Sequence, residues 1–178
     1  MSWEFIIHSP SGFCNQGIWK DAWHRGDYKQ LSNAVEANHP DGTKQIIFKT
    51  TESGLPTEEA MKHLLEWYHS DKDTLAVVKV ALFVYDFLSI HPFQDGNGRL
   101  SRLLTTLLLL RHGYSWIQFV SFEHEIESRK AEYYKVLMQA QQQRPGESLD
   151  EWVFFFLDCL TNIQSQLIKS LRPIINNN

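Results

Sequence analysis

The chain has 178 residues and a mass of 20.8 kDa, a size one hydrophobic core can serve; its 43% hydrophobic, 13% aromatic and 21% charged content excludes a disordered chain. A net charge of -4 with His neutral lacks the basic footprint that follows a nucleic-acid backbone, so no nucleic-acid partner is expected. Cys14 and Cys159 are too few for a disulfide framework and too sparse for a zinc site, and no signal-peptide pattern follows Met1, so a cytoplasmic location is expected.

In residues 1–31, Pro10, Gly12, Gly17 and Gly26 interrupt every apolar run, and Trp3, Phe5, Ile6, Trp19 and Trp23 show no sustained period. Residues 1–22 are read as an N-terminal segment packed on the core of one compact unit. The turn-forming His39-Pro40-Asp41-Gly42 divides Asn33 to Ala37 from Lys44 to Thr51, whose β-branched and aromatic content suits a strand. A small hairpin is expected, its edge open to pairing.

From Thr57, read as an N-cap, Met61, Leu64, Leu65 and Tyr68 make one apolar helical stripe. Asp73 to Ile90 is apolar nearly all round, the pattern of a central helix; Lys79 and Asp86, in a stretch short for a bilayer, argue against a membrane span. Another helix runs from Asn97 to Leu110, with Gly113 placed to end it. Ala131, Tyr134, Leu137 and Met138 suggest a further stripe. Ser148-Leu149-Asp150-Glu151 reads as a capping box opening a last helix through Leu167, before a polar tail at 173–178.

Chemistry concentrates between the central helix and the next, in His91-Pro92-Phe93-Gln94-Asp95-Gly96-Asn97-Gly98-Arg99-Leu100-Ser101-Arg102. Pro92 disfavours helical geometry at His91 and ends the helix there, leaving an imidazole able to take a proton from a hydroxyl near neutral pH. Gly96 and Gly98 let backbone N–H groups approach an anion at the positive end of the following helix. Asp95 offers the hard oxygen that Mg²⁺ takes together with waters and phosphates. Arg99 and Arg102, three apart, share a helix face from which two guanidinium groups can clamp phosphate oxygens. Each residue alone could be turn chemistry; a turn does not require the His-Pro and the arginine pair as well.

This stretch resembles the signature of the Fic (filamentation induced by cAMP) domain family at every specified position, and the likeness extends over roughly 23–171. The resemblance implies an all-α, Fic-type helical bundle with a small β-hairpin flap, the domain spanning 23–172. It implies a nucleotidyltransferase that moves AMP from ATP, the substrate, with Mg²⁺ as cofactor, to a Ser, Thr or Tyr hydroxyl of a target protein. In that reading His91 is the base, Asp95 holds the metal, Gly96, Asn97 and Gly98 form the anion hole, and Arg99 and Arg102 bind the phosphate tail. The target would lie along the flap, with Ile46, Ile47 and Phe48 as gripping candidates; no membrane partner is implied.

Self-regulating relatives carry a Ser or Thr, three residues, Glu, then Gly or Asn, the Glu pairing with the second motif arginine. Ser121-Phe122-Glu123-His124-Glu125 has the first spacing but continues to Ile126 and is read as a helix-flanking charge cluster. Arg102 is therefore expected to be open to phosphate, with any inhibition coming from a separate protein or segment. Transfer of phosphate or phosphocholine by the same site, and a non-catalytic or autoinhibited binding module, are the alternatives. Gly98 argues against the phosphate-transferring variant, in which the family places Lys, and the intact His91 argues against the module.

Overall fold

The computed structural model describes residues 26–31, 33–38 and 44–175. The expected N-terminal segment 1–22, the turn His39-Pro40-Asp41-Gly42 and the tail Asn176-Asn178 lie outside the described residues. The chain divides into two compact units, one drawn from residues up to Ser70 together with Asp86–Leu100, the other from Asp71–Tyr85 and from Ser101 onward.

In the first unit, Ala34–Asn38 (β1) and Lys44–Lys49 (β2) pair antiparallel, Ala34 opposite Lys49 and Asn38 opposite Lys44. The register slips between Val35 and Glu36. β2 stops at Lys49 rather than Thr51, and the Thr50 hydroxyl donates to the Asn33 carbonyl (2.8 Å). This corrects the hairpin flap of the expected fold, not its mostly helical bundle. The described residues are mostly helical and hold one slipped strand pair, while the connecting turn and most of the pair's side chains lie outside them. No complete hairpin flap is therefore present among the described residues. A slip also breaks the two-residue alternation that would align a guest strand, and target binding along Ile46, Ile47 and Phe48 is withdrawn.

Gly54, at φ 77°, accepts the N–H groups of Thr57 (3.0 Å) and Glu58 (3.2 Å), so the first helix, Leu55–Ser70 (α1), starts two residues before the expected Thr57 cap. The buried Thr57 hydroxyl instead donates to the Glu52 carbonyl (2.6 Å). Met61, Leu64, Leu65 and Tyr68 are buried, as their spacing predicts. The end of helix Ala76–Ile90 (α2), a tight loop and the first turn of helix Asn97–Arg111 (α3) complete this unit.

The second unit begins with the start of α2, where Lys79 is buried and pairs with Asp71 through both its carboxylate (3.4 Å) and its carbonyl. The body of α3 ends as expected at Gly113, φ 88°: Tyr114 N–H reaches the Leu109 carbonyl (3.0 Å) and Gly113 N–H the Leu110 carbonyl (3.0 Å). Both otherwise orphaned carbonyls are thereby satisfied. A 3-10 turn (Ser115–Phe119) leads to helices Phe122–Ser128 (α4), Lys130–Gln142 (α5) and Asp150–Ile175 (α6).

Trp152 of α6 anchors this core, fully buried, its indole N–H donating to the Ala81 carbonyl (2.8 Å) and its ring lying against Tyr85 and Tyr133. The α5 stripe is turned from the expected one. Tyr133, Val136, Leu137 and Ala140 are buried, while Ala131 and Tyr134 are exposed.

Candidate active site

α2 ends at Ile90, and His91 takes φ 55°, a left-handed conformation that residues other than glycine seldom adopt. Pro92 bars the helical geometry, and the chain takes the left-handed alternative instead of an extended one. The turn is held locally: His91 N–H still donates to the Phe87 carbonyl (2.9 Å), and the imidazole Nδ1 lies 3.2 Å from the Leu88 carbonyl oxygen. A carbonyl can only accept, so Nδ1 carries the proton and Nε2 presents its lone pair. Burial pushes the imidazole below its ordinary value of 6.5; the Leu88 bond opposes this, the neighbouring Lys29 charge adds to it, and Asp95 opposes it. His91 therefore holds a neutral imidazole at pH 7.

The loop closes on Phe93 and Asn97. Phe93 is buried, with Tyr28 and Phe87 rings 5.7 and 6.4 Å away. Asn97, 1% exposed, accepts the Phe93 N–H through Oδ1 (2.9 Å) and donates through Nδ2 to the Phe93 carbonyl (2.7 Å). Its side chain is a clamp on the loop, and its backbone stands in the first turn of α3. Gly96 stands at φ 83°, where an L side chain would be strained, and its carbonyl accepts the Leu100 N–H (2.9 Å) to start α3. The positive end of the α3 dipole thus lies at Asn97 and Gly98.

Asp95 is exposed; Oδ1 accepts the Gly96 N–H (2.6 Å), and Oδ2 lies 3.5 Å from the Arg99 guanidinium. Among the described residues no three metal-binding side chains gather. An ion here would take one protein carboxylate and complete its shell from phosphates and water, which is how Mg²⁺ binds; the donor set fits that ion. Asp95 and Arg99 pair at this distance, so a metal and an anionic ligand arriving together would each replace a partner.

Arg102 lies one turn beyond Arg99 on α3, in the second unit, and is not open as expected. Its Nε (3.1 Å) and one terminal nitrogen (2.9 Å) both donate to Glu123 Oε1. Ser121 caps α4 by accepting the His124 N–H (3.1 Å), which sets Glu123 in the first turn. Glu125, four-hundredths exposed, accepts from Asn162 (2.8 Å) and lies 3.7 Å from Arg129. The expected charge cluster is thus one exposed carboxylate paired with Arg102 and one buried carboxylate held by Asn162 and Arg129.

Sequence reading missed Lys29. It is fully buried, and its ammonium donates to Asn33 Oδ1 (3.1 Å), Thr50 Oγ1 (2.8 Å) and the Ile90 carbonyl (2.9 Å). No periodic or motif signal marks it, because its partners lie up to 61 positions away and one is a backbone oxygen.

A profile of the Fic/DOC family matches residues 19–109, just over half of the chain. The chain is 36% identical over 101 residues to the protein adenylyltransferase Fic of Aedes aegypti, covering 56% of this chain and 18% of that protein. It is 35% identical over 82 residues to the protein adenylyltransferase fic-1 of Caenorhabditis elegans, covering 44% of this chain and 15% of that one. The chain thus spans less than a fifth of the length of these curated relatives. Among solved structures, a Fic family protein from Desulfovibrio desulfuricans G20 superposes with a TM-score of 0.64 at 26% identity, covering 87% of this chain and 43% of that one. A Fic domain containing signaling protein from Bacteroides thetaiotaomicron VPI-5482 does so at 0.57 and 29% identity, covering 85% and 55%.

Proposed function

Because the chain belongs to the Fic/DOC family, we propose that it is a protein adenylyltransferase, moving AMP from Mg-ATP to a Ser, Thr or Tyr hydroxyl of another protein, with residues 23–172 as the domain responsible. The observation that carries the reading is the His91 imidazole, whose Nδ1 is spent on the Leu88 carbonyl and whose Nε2 is left as the proton acceptor. The target hydroxyl gives its proton to Nε2 while its oxygen attacks the α-phosphorus; the bond to the bridging oxygen breaks and pyrophosphate leaves.

Gly96, Asn97 and Gly98 turn the helix start toward the phosphates, and Arg99 and Arg102 take up their charge as it develops. Mg²⁺, when bound with the nucleotide, would be held by Asp95 and would neutralise phosphate charge. The curated relatives named as adenylyltransferases support this class of transfer. Incubation with Mg-ATP labelled separately at the α- and γ-phosphate tests it. Label from α alone is expected in protein; label from γ would mean phosphate transfer, and none from either would mean a binding module.

Two outcomes follow from this assignment. Asp95→Ala is expected to move the half-saturating Mg²⁺ concentration upward on the order of tenfold, the equivalent of about 1.4 kcal/mol. Coincident Mg²⁺ titrations of variant and wild type would remove Asp95 from the metal. The acid limb of the transfer rate is expected below pH 6.5. His91 works as the neutral base and its proton affinity is depressed, so activity is full above the ordinary value and falls only as pH drops through the lowered one. A limb at or above 6.5, read from rate against pH, would contradict the burial argument.

A further inference from the structure

Residue 29 holds the chain on both sides of His91. Its backbone N–H donates to the Pro92 carbonyl (2.8 Å), and its ammonium donates to the Ile90 carbonyl (2.9 Å). The other two ammonium bonds, to Asn33 and Thr50, tie it to the ends of the strand pair. Asn33 adds a bond from its amide to the Phe93 carbonyl (3.2 Å). Carbonyls 90, 92 and 93 are thus pinned by one short segment, and the left-handed residue lies between the first two.

We propose that Lys29 is the positioning residue of the base: it clamps the carbonyls flanking His91, holds that residue in its left-handed backbone conformation and fixes a buried ammonium on the Ile90 carbonyl, one residue before the imidazole. The inference rests on the reading of His91 as base.

The physical case has two parts. A residue at φ 55° is strained and persists only where its surroundings over-determine it; the bonds at 90 and 92 do so here. A buried ammonium with all three protons donated keeps its place more firmly than an exposed one. Burial pulls Lys29 down to about 8, so it remains largely charged at pH 7. The charged groups acting on His91 are Lys29, which disfavours imidazolium, and Asp95, which favours it.

The test is a ¹⁵N NMR titration of the imidazoles in wild type and Lys29→Met, with His91 assigned by its loss in His91→Gln. Initial rates of α-labelled AMP incorporation into lysate protein are measured beside it at varied Mg-ATP. The wild-type imidazole is expected to carry its proton on Nδ1 and to titrate below 6.5. In Lys29→Met it should titrate higher, and the limiting rate should fall on the order of 10- to 100-fold with KM for Mg-ATP kept, as displacement of a reacting group does. An imidazole that titrates as before, or an unchanged limiting rate, overturns the proposal. Should Lys29→Met fail to fold by circular dichroism, Thr50→Val replaces it, removing one acceptor while keeping the charge. There a lower limiting rate with an unmoved titration supports the clamp, and an unchanged rate overturns it. His91→Ala runs in parallel: full rate in that variant would sink the base assignment alone, while the NMR shift would still judge Lys29.

Discussion

His91→Ala is expected to slow AMP transfer by roughly 10² to 10⁴, the range in which a positioned general base contributes, with Mg-ATP binding nearly kept. The two effects separate because the imidazole and the helix start proposed to bind phosphate are built differently. The imidazole is held by the end of α2, the Leu88 carbonyl and the Pro92 turn, whereas the start of α3 is closed by Asn97 on Phe93. Removing the ring leaves the Asn97 clamp and Gly96 in place. Transfer rates and nucleotide affinity measured on the same preparation check this; a variant retaining more than about a tenth of the rate would be inconsistent with acid–base contributions of this size.

Arg102→Ala should lower transfer by about 10- to 150-fold, from the loss of a charge-assisted clamp of roughly 1.5–3 kcal/mol. Glu123 competes for that guanidinium. The carboxylate is 65% exposed and offers a single oxygen to both donors. An exposed pair of this kind is worth about 0.2–1 kcal/mol, less than phosphate oxygens can supply. Glu123→Ala is therefore expected to raise transfer at limiting Mg-ATP by no more than about fivefold. Initial rates of both variants at low and saturating Mg-ATP decide it. If Arg102→Ala were faster than wild type, the arginine would be serving restraint rather than phosphate.

The candidate site was legible because its groups are contiguous: His91 to Arg102 is one helix end, one loop and one helix start, and proline, glycine and paired arginines announce such geometry. Gly113 announced the end of α3 for the same reason. What stayed hidden depends on partners distant in sequence. Glu123 meets Arg102 only once α4 is capped by Ser121, and Lys29 meets Ile90 only in the folded first unit. The adjacent aromatics Tyr133 and Tyr134 left the buried face of α5 ambiguous by one residue, and tertiary packing against Trp152 chose Tyr133. The strand pair was expected from composition, but composition carries no register, and the slip at Val35/Glu36 is set by pairing alone.

The most direct test of the central claim is a mass spectrum of lysate proteins after incubation with Mg-ATP and either wild type or His91→Ala. AMP-sized increments on Ser, Thr or Tyr that accompany the wild type and vanish with the variant are the predicted result. Spectra that are the same for both proteins, or increments of phosphate size, would contradict it.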